Sequence, residues 1–206
     1  SGTDGALLAE AYRAVGVNRI SMGVQAFQDR HLRWMNRRHS AAQIYEAYNM
    51  LRQKGFDNLS IDLIFGYAPL LEDEWAESLT KAIELSPEHI SAYQMSIDKE
   101  SALCRMVSDG KYIEPEDEIC AAQYAMLQKR LADNGYMQYE ISNFCQPGRH
   151  SRHNSAYWNR TPYLGFGPAA HSFDGDRLRK WNINDLDQLA AALMQNDGNK
   201  PFWQQE

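Results

Sequence analysis

Asn58-Leu59-Ser60-Ile61-Asp62-Leu63-Ile64-Phe65 decides the architecture of this chain. Leu59, Ile61, Leu63 and Phe65 alternate with Ser60, Asp62 and Ile64, a period of two that defines a strand with two unlike faces. The apolar face should meet helices. A helix-period segment precedes this strand and another follows it, at residues 72–85, where Trp75, Leu79 and Ile83 recur at helical spacing before Pro87 ends the pattern. Strands alternating with helices imply crossover connections and a parallel sheet, as in an α/β barrel or a doubly wound fold.

Upstream, residues 19–25 repeat the alternation. Ile20, Met22 and Val24 face one way, and Arg19, Ser21, Gly23 and Gln25 face the other. Successive strands therefore send polar side chains into one interior. Parallel strands are normally apolar throughout, so Asp62 and Gln25 near strand carboxyl ends point to a ligand site; a small buried hydrogen-bond network is the alternative.

The helices carry their own punctuation. Ser40-Ala41-Ala42-Gln43 is a capping-box pattern before Ile44, Ala47, Tyr48 and Leu51, and Gly55 stands where that helix should stop. Asp4 is placed to cap a short first helix carrying Leu7, Leu8, Tyr12 and Val15, which Gly16 can end. Residues 90–97 read as a third strand. Pro115 with Glu116, Asp117 and Glu118 opens a further helix that runs to Asn134-Gly135. The organisation expected is a set of βα units over residues 1–134. A smaller α+β region should occupy residues 135–206, with a strand at 139–144 and an amphipathic helix at 185–194.

The second region contains His153-Asn154-Ser155-Ala156-Tyr157-Trp158, followed by Tyr163-Leu164-Gly165-Phe166-Gly167. Imidazole is a standard axial ligand of haem iron, aromatic faces pack on porphyrin, and Arg149, Arg152 and Arg160 are near enough in sequence to pair with propionates. The competing readings are a solvated loop histidine and a Tyr-Trp pair used for core packing. In a helix, Tyr157 would share the face of His153, whereas Trp158 would point elsewhere and anchor the segment to the core. His171, in Ala169-Ala170-His171-Ser172, is a second candidate without an assigned role. Gly165-Phe166-Gly167 lacks the full dinucleotide fingerprint.

Composition narrows the classes. The net charge of −6 over 206 residues offers no broad basic footprint for nucleic acid or an anionic membrane. No apolar run approaches a membrane span and no signal peptide precedes the first helix, which makes the cytoplasm the expected compartment. Cys104, Cys120 and Cys145 are widely spaced, form no CxxC or CxxxCxxC pattern, and read as reduced, packed thiols.

Residues 17–25, Asn36-Arg37, the run from Ile61 to Gly66 and the series between Tyr139 and His171 together resemble the oxygen-independent coproporphyrinogen III oxidase superfamily of radical S-adenosylmethionine proteins. The HNxxYW run is similar to that of its HemW branch, the haem chaperones. This resemblance implies an incomplete radical S-adenosylmethionine, TIM-like barrel with parallel strands, its first strand an unclosed edge. It also implies haem handling in the cytoplasm.

Position by position, the resemblance matches Gln25, Arg37 and Asp62 to residues that contact S-adenosylmethionine. Asp62 can accept from hydroxyl or amino groups, Gln25 can bridge polar atoms, and Arg37 can pair with a carboxylate. His153 corresponds to the haem-iron ligand, with Tyr157 supporting the porphyrin. The family's [4Fe-4S] cluster is held by a CxxxCxxC motif that this chain lacks. The chain is therefore expected to be an internal or C-terminal piece of a longer protein, binding no cluster and performing no radical chemistry by itself; no catalytic residue is assigned. The parent is expected to bind haem or porphyrin and to serve a haem-accepting protein, membrane-associated or not, without contacting nucleic acid. The alternatives are a coproporphyrinogen III oxidase (dehydrogenase) of porphyrin biosynthesis and a noncatalytic barrel piece.

Overall fold

A computed structural model describes residues 2–194 and 203–205. The chain forms two compact units, Ser1–His150 and Ser151–Glu206. The first contains α1 (Gly2–Ala14), β1 (Ile20–Gln25), α2 (Asp29–Trp34), α3 (Ala41–Gln53), β2 (Leu59–Phe65), α4 (Glu72–Leu85), β3 (His89–Gln94), α5 (Ala102–Ser108), α6 (Asp117–Asp133), β4 (Met137–Gln138) and β5 (Asn143–Cys145). Its sheet has the order β1-β2-β3-β5-β4. β1, β2 and β3 are parallel, while β5 runs antiparallel to both β3 and β4. This is a partial barrel-type α/β sheet, and β1 forms an edge among the described residues.

The expected parallel strands are present, with differences that have local causes. β3 ends at Gln94 instead of residue 97 because the chain turns at Asp98, whose side chain accepts from the Glu100 N–H and whose carbonyl accepts from the Ser101 N–H. The single strand expected at 139–144 is instead β4 and β5 separated by a bend, where the Glu140 carboxylate accepts from the Ser142 N–H at 3.0 Å. Pairing of β5 with β3 puts this segment on the first unit's sheet. Asp4 lies within the first turn of α1, which already begins at Gly2, so it is not the cap. α2 and α5 are too short to show a periodic stripe and went unread in the sequence. The Ser40–Gln43 capping box forms as expected.

Packing follows the alternation. Leu59, Ile61, Leu63, Phe65, Ile90, Ala92 and Phe144 are buried in one core with Ile44, Tyr48 and Leu51 of α3, Trp75, Leu79 and Ala82 of α4, and Leu127 and Leu131 of α6. The Trp75 indole N–H donates to the Gln123 carbonyl at 2.9 Å, satisfying its polar atom while joining α4 to α6. Leu7, Leu8 and Tyr12 on α1 and Val15 just after it remain exposed, and Ala9 is a buried contact of that helix.

The other sheet face is polar. Parallel register sets Ser21 against Ser60, Ser60 against His89, and Asp62 against Ser91, and β5 adds Asn143 beside Ser91. Ser60 Oγ lies 2.8 Å from His89 Nδ1, and Tyr139 Oη lies 2.8 Å from His89 Nε2. Burial, aided by the nearby positive charge of Arg19, pushes the His89 imidazole down to about 3, so it is neutral near pH 7.

The second unit contains α7 (Arg152–Trp158), β6 (His171–Phe173), β7 (Arg179–Asn182), α8 (Leu186–Met194) and β8 (Trp203–Gln205). Its strands form an antiparallel sheet in the order β6-β7-β8. Ser151 caps α7 by accepting from the Asn154 N–H, so the HNxxYW segment is a helix instead of a polar loop.

Truncation of fully buried Leu63 to Ala should cost about 2–5 kcal/mol, read as a lowered urea midpoint. Stability should also depend on His89. Its ordinary value of 6.5 applies when unfolded, whereas the folded group titrates near about 3, so the unfolded chain holds the extra proton between them. The stabilisation is complete above pH 6.5 and lost as pH falls through about 3. His89→Gln should flatten this acid slope in urea titrations at several pH values, although buried His31, also lowered by desolvation, leaves a residual slope of the same sign. An unchanged slope would assign the effect to other groups.

Candidate functional site

At the carboxyl end of β1 the strand leaves regular alternation. The β1–β2 register shifts between Met22 and Gln25, and Gln25 adopts φ 68°. Its buried side chain lies over Gly23, where a Cβ would stand only 3.0 Å from Gln25 Nε2. The glycine thus opens the space that Gln25 fills on the polar face. Arg37 follows the turn after α2, where its N–H donates to the Leu32 carbonyl at 2.8 Å. Its guanidinium donates to Gln25 Oε1 at 2.8 Å. The structure therefore brings Gln25 and Arg37 together.

Asp62 is held separately on the same polar sheet face. Ser21 Oγ donates to its two carboxylate oxygens at 3.0 and 3.2 Å, and Ser91 of β3 stands across from it in the strand register. Burial raises the Asp62 pKa, opposed by those two hydroxyls and the charge of Arg19. Ser21 and Ser91 were not singled out as site residues; the sequence signal for Ser21 was its place in the period-two pattern.

Beside Arg37 is a cavity of about 440 Å³, walled by Trp34, Met35, Ile64, Met95 and Met106. Its volume falls within the range of small-molecule sites, about 300–1,000 Å³. The cation of Arg37 and a thioether- and indole-rich wall would suit a ligand that joins a carboxylate to an aromatic base. The cysteines are a different matter. Cys104, Cys120 and Cys145 lie on α5, α6 and β5, and burial pushes the Cys120 and Cys145 thiols up, away from the thiolate form. Among the described residues no group of three metal-ligating side chains comes together, so these thiols do not fit a [4Fe-4S] cluster.

In the second unit, α7 places His153 and Tyr157 on one face. Their rings are 5.0 Å apart at 83°, with Tyr157 Oη 3.1 Å from His153 Nε2. Tyr157 meets Tyr163 edge-on at 5.0 Å, and Tyr163 pairs across to Phe173. An open cavity of about 710 Å³ is lined by His153, Tyr157, Tyr163, Phe166, His171 and Arg179.

Two sequence expectations change here. Trp158 is not an anchor to a core: it is 62% exposed at the end of α7, on a different face from His153 and Tyr157. Arg160 is engaged over the Phe173 ring at 5.8 Å and donates to the Asp176 carbonyl, so the guanidinium lining the cavity is Arg179. Sequence spacing could not select Arg179, because the β6–β7 register places it opposite Phe173.

The comparisons with known proteins agree with this architecture. Residues 1–82 match the model of the radical SAM superfamily. The haem chaperone HemW of Mycobacterium tuberculosis is 34% identical over 181 residues, covering 88% of this chain and 46% of that protein. HemW of Synechocystis is 37% identical over 178 residues, covering 86% and 43% respectively. Thus this chain spans a little under half the length of these relatives. The structure of coproporphyrinogen III oxidase (HemN) from Escherichia coli, a radical SAM enzyme, matches with a TM-score of 0.75 at 23% identity, covering 96% of this chain and 48% of that one. That last likeness is one of fold. With the sequence relationship to the haem chaperones, it establishes that this chain belongs to the radical SAM HemN/HemW-like family.

Proposed function

We propose that the whole protein is a HemW-type haem chaperone, with haem as cargo at the second unit's cavity and S-adenosylmethionine at the polar face of the first. The observation that carries this reading is the union of His153, aromatic walls and a guanidinium around one open cavity. An imidazole lone pair can ligate iron, Tyr157 and Tyr163 supply faces for the porphyrin, and a cation can meet a propionate. An exposed site suits a carrier because its cargo must leave. Tyr157 tempers the site further: ligation through His153 Nε2 must replace the Tyr157 hydrogen bond.

In the first unit, Arg37 would pair with the methionyl carboxylate, while Gln25 and Asp62 would accept from amino or hydroxyl groups. Bound with a [4Fe-4S] cluster, S-adenosylmethionine supplies radical chemistry in this family; this chain's own residues bind and orient it. The same reading locates the protein in the cytoplasm, delivering cargo to a haem-accepting protein. Among the described residues no helix is long and apolar enough to cross a membrane. A coproporphyrinogen III oxidase is the second reading, favoured by the fold shared with the Escherichia coli enzyme. Haem retention by His153 separates the two.

In the full-length protein, His153→Ala should change the Soret spectrum and speed haem loss while leaving S-adenosylmethionine affinity intact. Tyr157→Phe should retain haem at least as well as wild type, since it keeps the ring and removes the competing hydroxyl, whereas Tyr157→Ala should lose haem faster. Unchanged spectra and dissociation rates in His153→Ala would remove the chaperone assignment. For the other site, calorimetry should show Asp62→Ala weakening S-adenosylmethionine by about 10- to 100-fold, the loss of a hydrogen bond to a charged group. Gln25→Ala should have a smaller effect. Wild-type affinity in both folded variants would exclude these residues from the site.

A further inference from the structure

The described part of the second unit contains a second exposed imidazole that the reading above leaves unused. His171 begins β6, and antiparallel register sets it opposite Trp181, with Phe173 opposite Arg179. Residues directly opposed in an antiparallel pair share a face, so His171, Phe173, Arg179 and Trp181 all project from one side of this small sheet. Tyr163 joins them through its bridge to Phe173, and Tyr157 of α7 packs on Tyr163. The consequence is that His153 from the helix and His171 from the sheet line the same cavity, with Arg179 beside them.

His171 is held in place by its surroundings. Its ring stacks on Trp181 at 5.8 Å and 28°. Its backbone is clamped by Gly165, where a Cβ would come within 2.1 Å of the His171 carbonyl oxygen, and the Gly165 N–H donates to Ser172 Oγ at 2.9 Å. Only glycine permits this approach. Among the described residues, the ring nitrogens of His171 have no hydrogen-bond partner, in contrast to His153 Nε2, which meets Tyr157. A clamped backbone, a stacked ring and open nitrogens are what a ready ligand requires.

We propose that His171 is the second imidazole of the haem site, with His153 and His171 ligating one iron and Arg179 pairing with a propionate of that molecule. This rests on the reading that the cavity takes haem. Haem iron offers two axial positions, and imidazoles at both produce a six-coordinate, low-spin centre. Such a pair would not make the cargo permanent, because the His153–Tyr157 hydrogen bond competes for one of the ligands.

The experiment is addition of ferric haem to the full-length protein, followed by absorption and electron paramagnetic resonance spectra and transfer to an apo-globin scavenger. Wild type should be low-spin and six-coordinate. His171→Ala should become five-coordinate and high-spin and lose haem about tenfold faster, the scale on which support of a metal centre is felt. Free imidazole should restore the low-spin spectrum. His171→Gln, closer in size, should match His171→Ala spectrally, which separates lost ligation from lost folding. Arg179→Ala should speed loss of haem about tenfold but make no difference with the propionate dimethyl ester, because the charged partner is then absent. If His153→Ala perturbs the complex while His171→Ala and His171→Gln remain low-spin with unchanged loss rates, the second-ligand proposal falls and the haem site stands. If wild type holds no haem, or none of these variants alters the spectrum, both fall.

Discussion

The first unit depends on Asp62 being shared between its neighbours. Ser21 of β1 donates to this carboxylate and Ser91 of β3 stands directly across from it, an arrangement set by the parallel register of the three strands. A slip of one residue would turn Asp62 toward Trp75 and Leu79, and Ile61 and Leu63 toward the polar face. Two requirements therefore agree: apolar residues need the helices, and a partly desolvated carboxylate needs hydroxyl donors. The cost of burying that charge is reflected in its raised pKa, and the serines offset part of it.

The same face carries a neutral extension of the network. Ser60, His89 and Tyr139 form a chain of hydrogen bonds that ties β2 to β3 and to the segment before β5. Partnering matters in such a place, because each buried polar atom left alone costs stability, and Asn143 Oδ1 beside Ser91 is one that carries this cost. Gln25 and Arg37 stand at the open end of this surface, where β1 bulges and the turn after α2 returns. A hydrogen-bonded sheet thus supports a more accessible edge with polar groups available to a ligand.

The second unit has a different physical character. Among the described residues, Leu189 is its only buried large hydrophobic, while Trp158, Leu164 and Phe166 are exposed. Half-buried ring contacts through Tyr157, Tyr163 and Phe173 do much of its packing. A surface rich in unburied aromatics marks an interaction site, and a ligand that covered it would add stability through mass action. Under the proposed haem-carrier role, loading of the cargo would stabilise the unit and release would reverse that gain.

Much of the first unit was legible in the sequence because its signals are local. Period two on β1 and β2, helical spacing through Trp75 and Leu79, and the Ser40–Gln43 box all express backbone geometry within a few residues, and their elements form. The family resemblance singled out Gln25, Arg37, Asp62, His153 and Tyr157. What only tertiary structure decided were relations between distant residues: the Gln25–Arg37 contact, Asp62 held between two serines, the antiparallel return of β5, and the cavity that joins His153 to His171 and Arg179. It also overruled the anchoring role expected for Trp158, because solvent exposure depends on what the fold brings opposite a side chain. Alternation tells a residue which face it occupies; strand register and chain reversal decide what stands across from it.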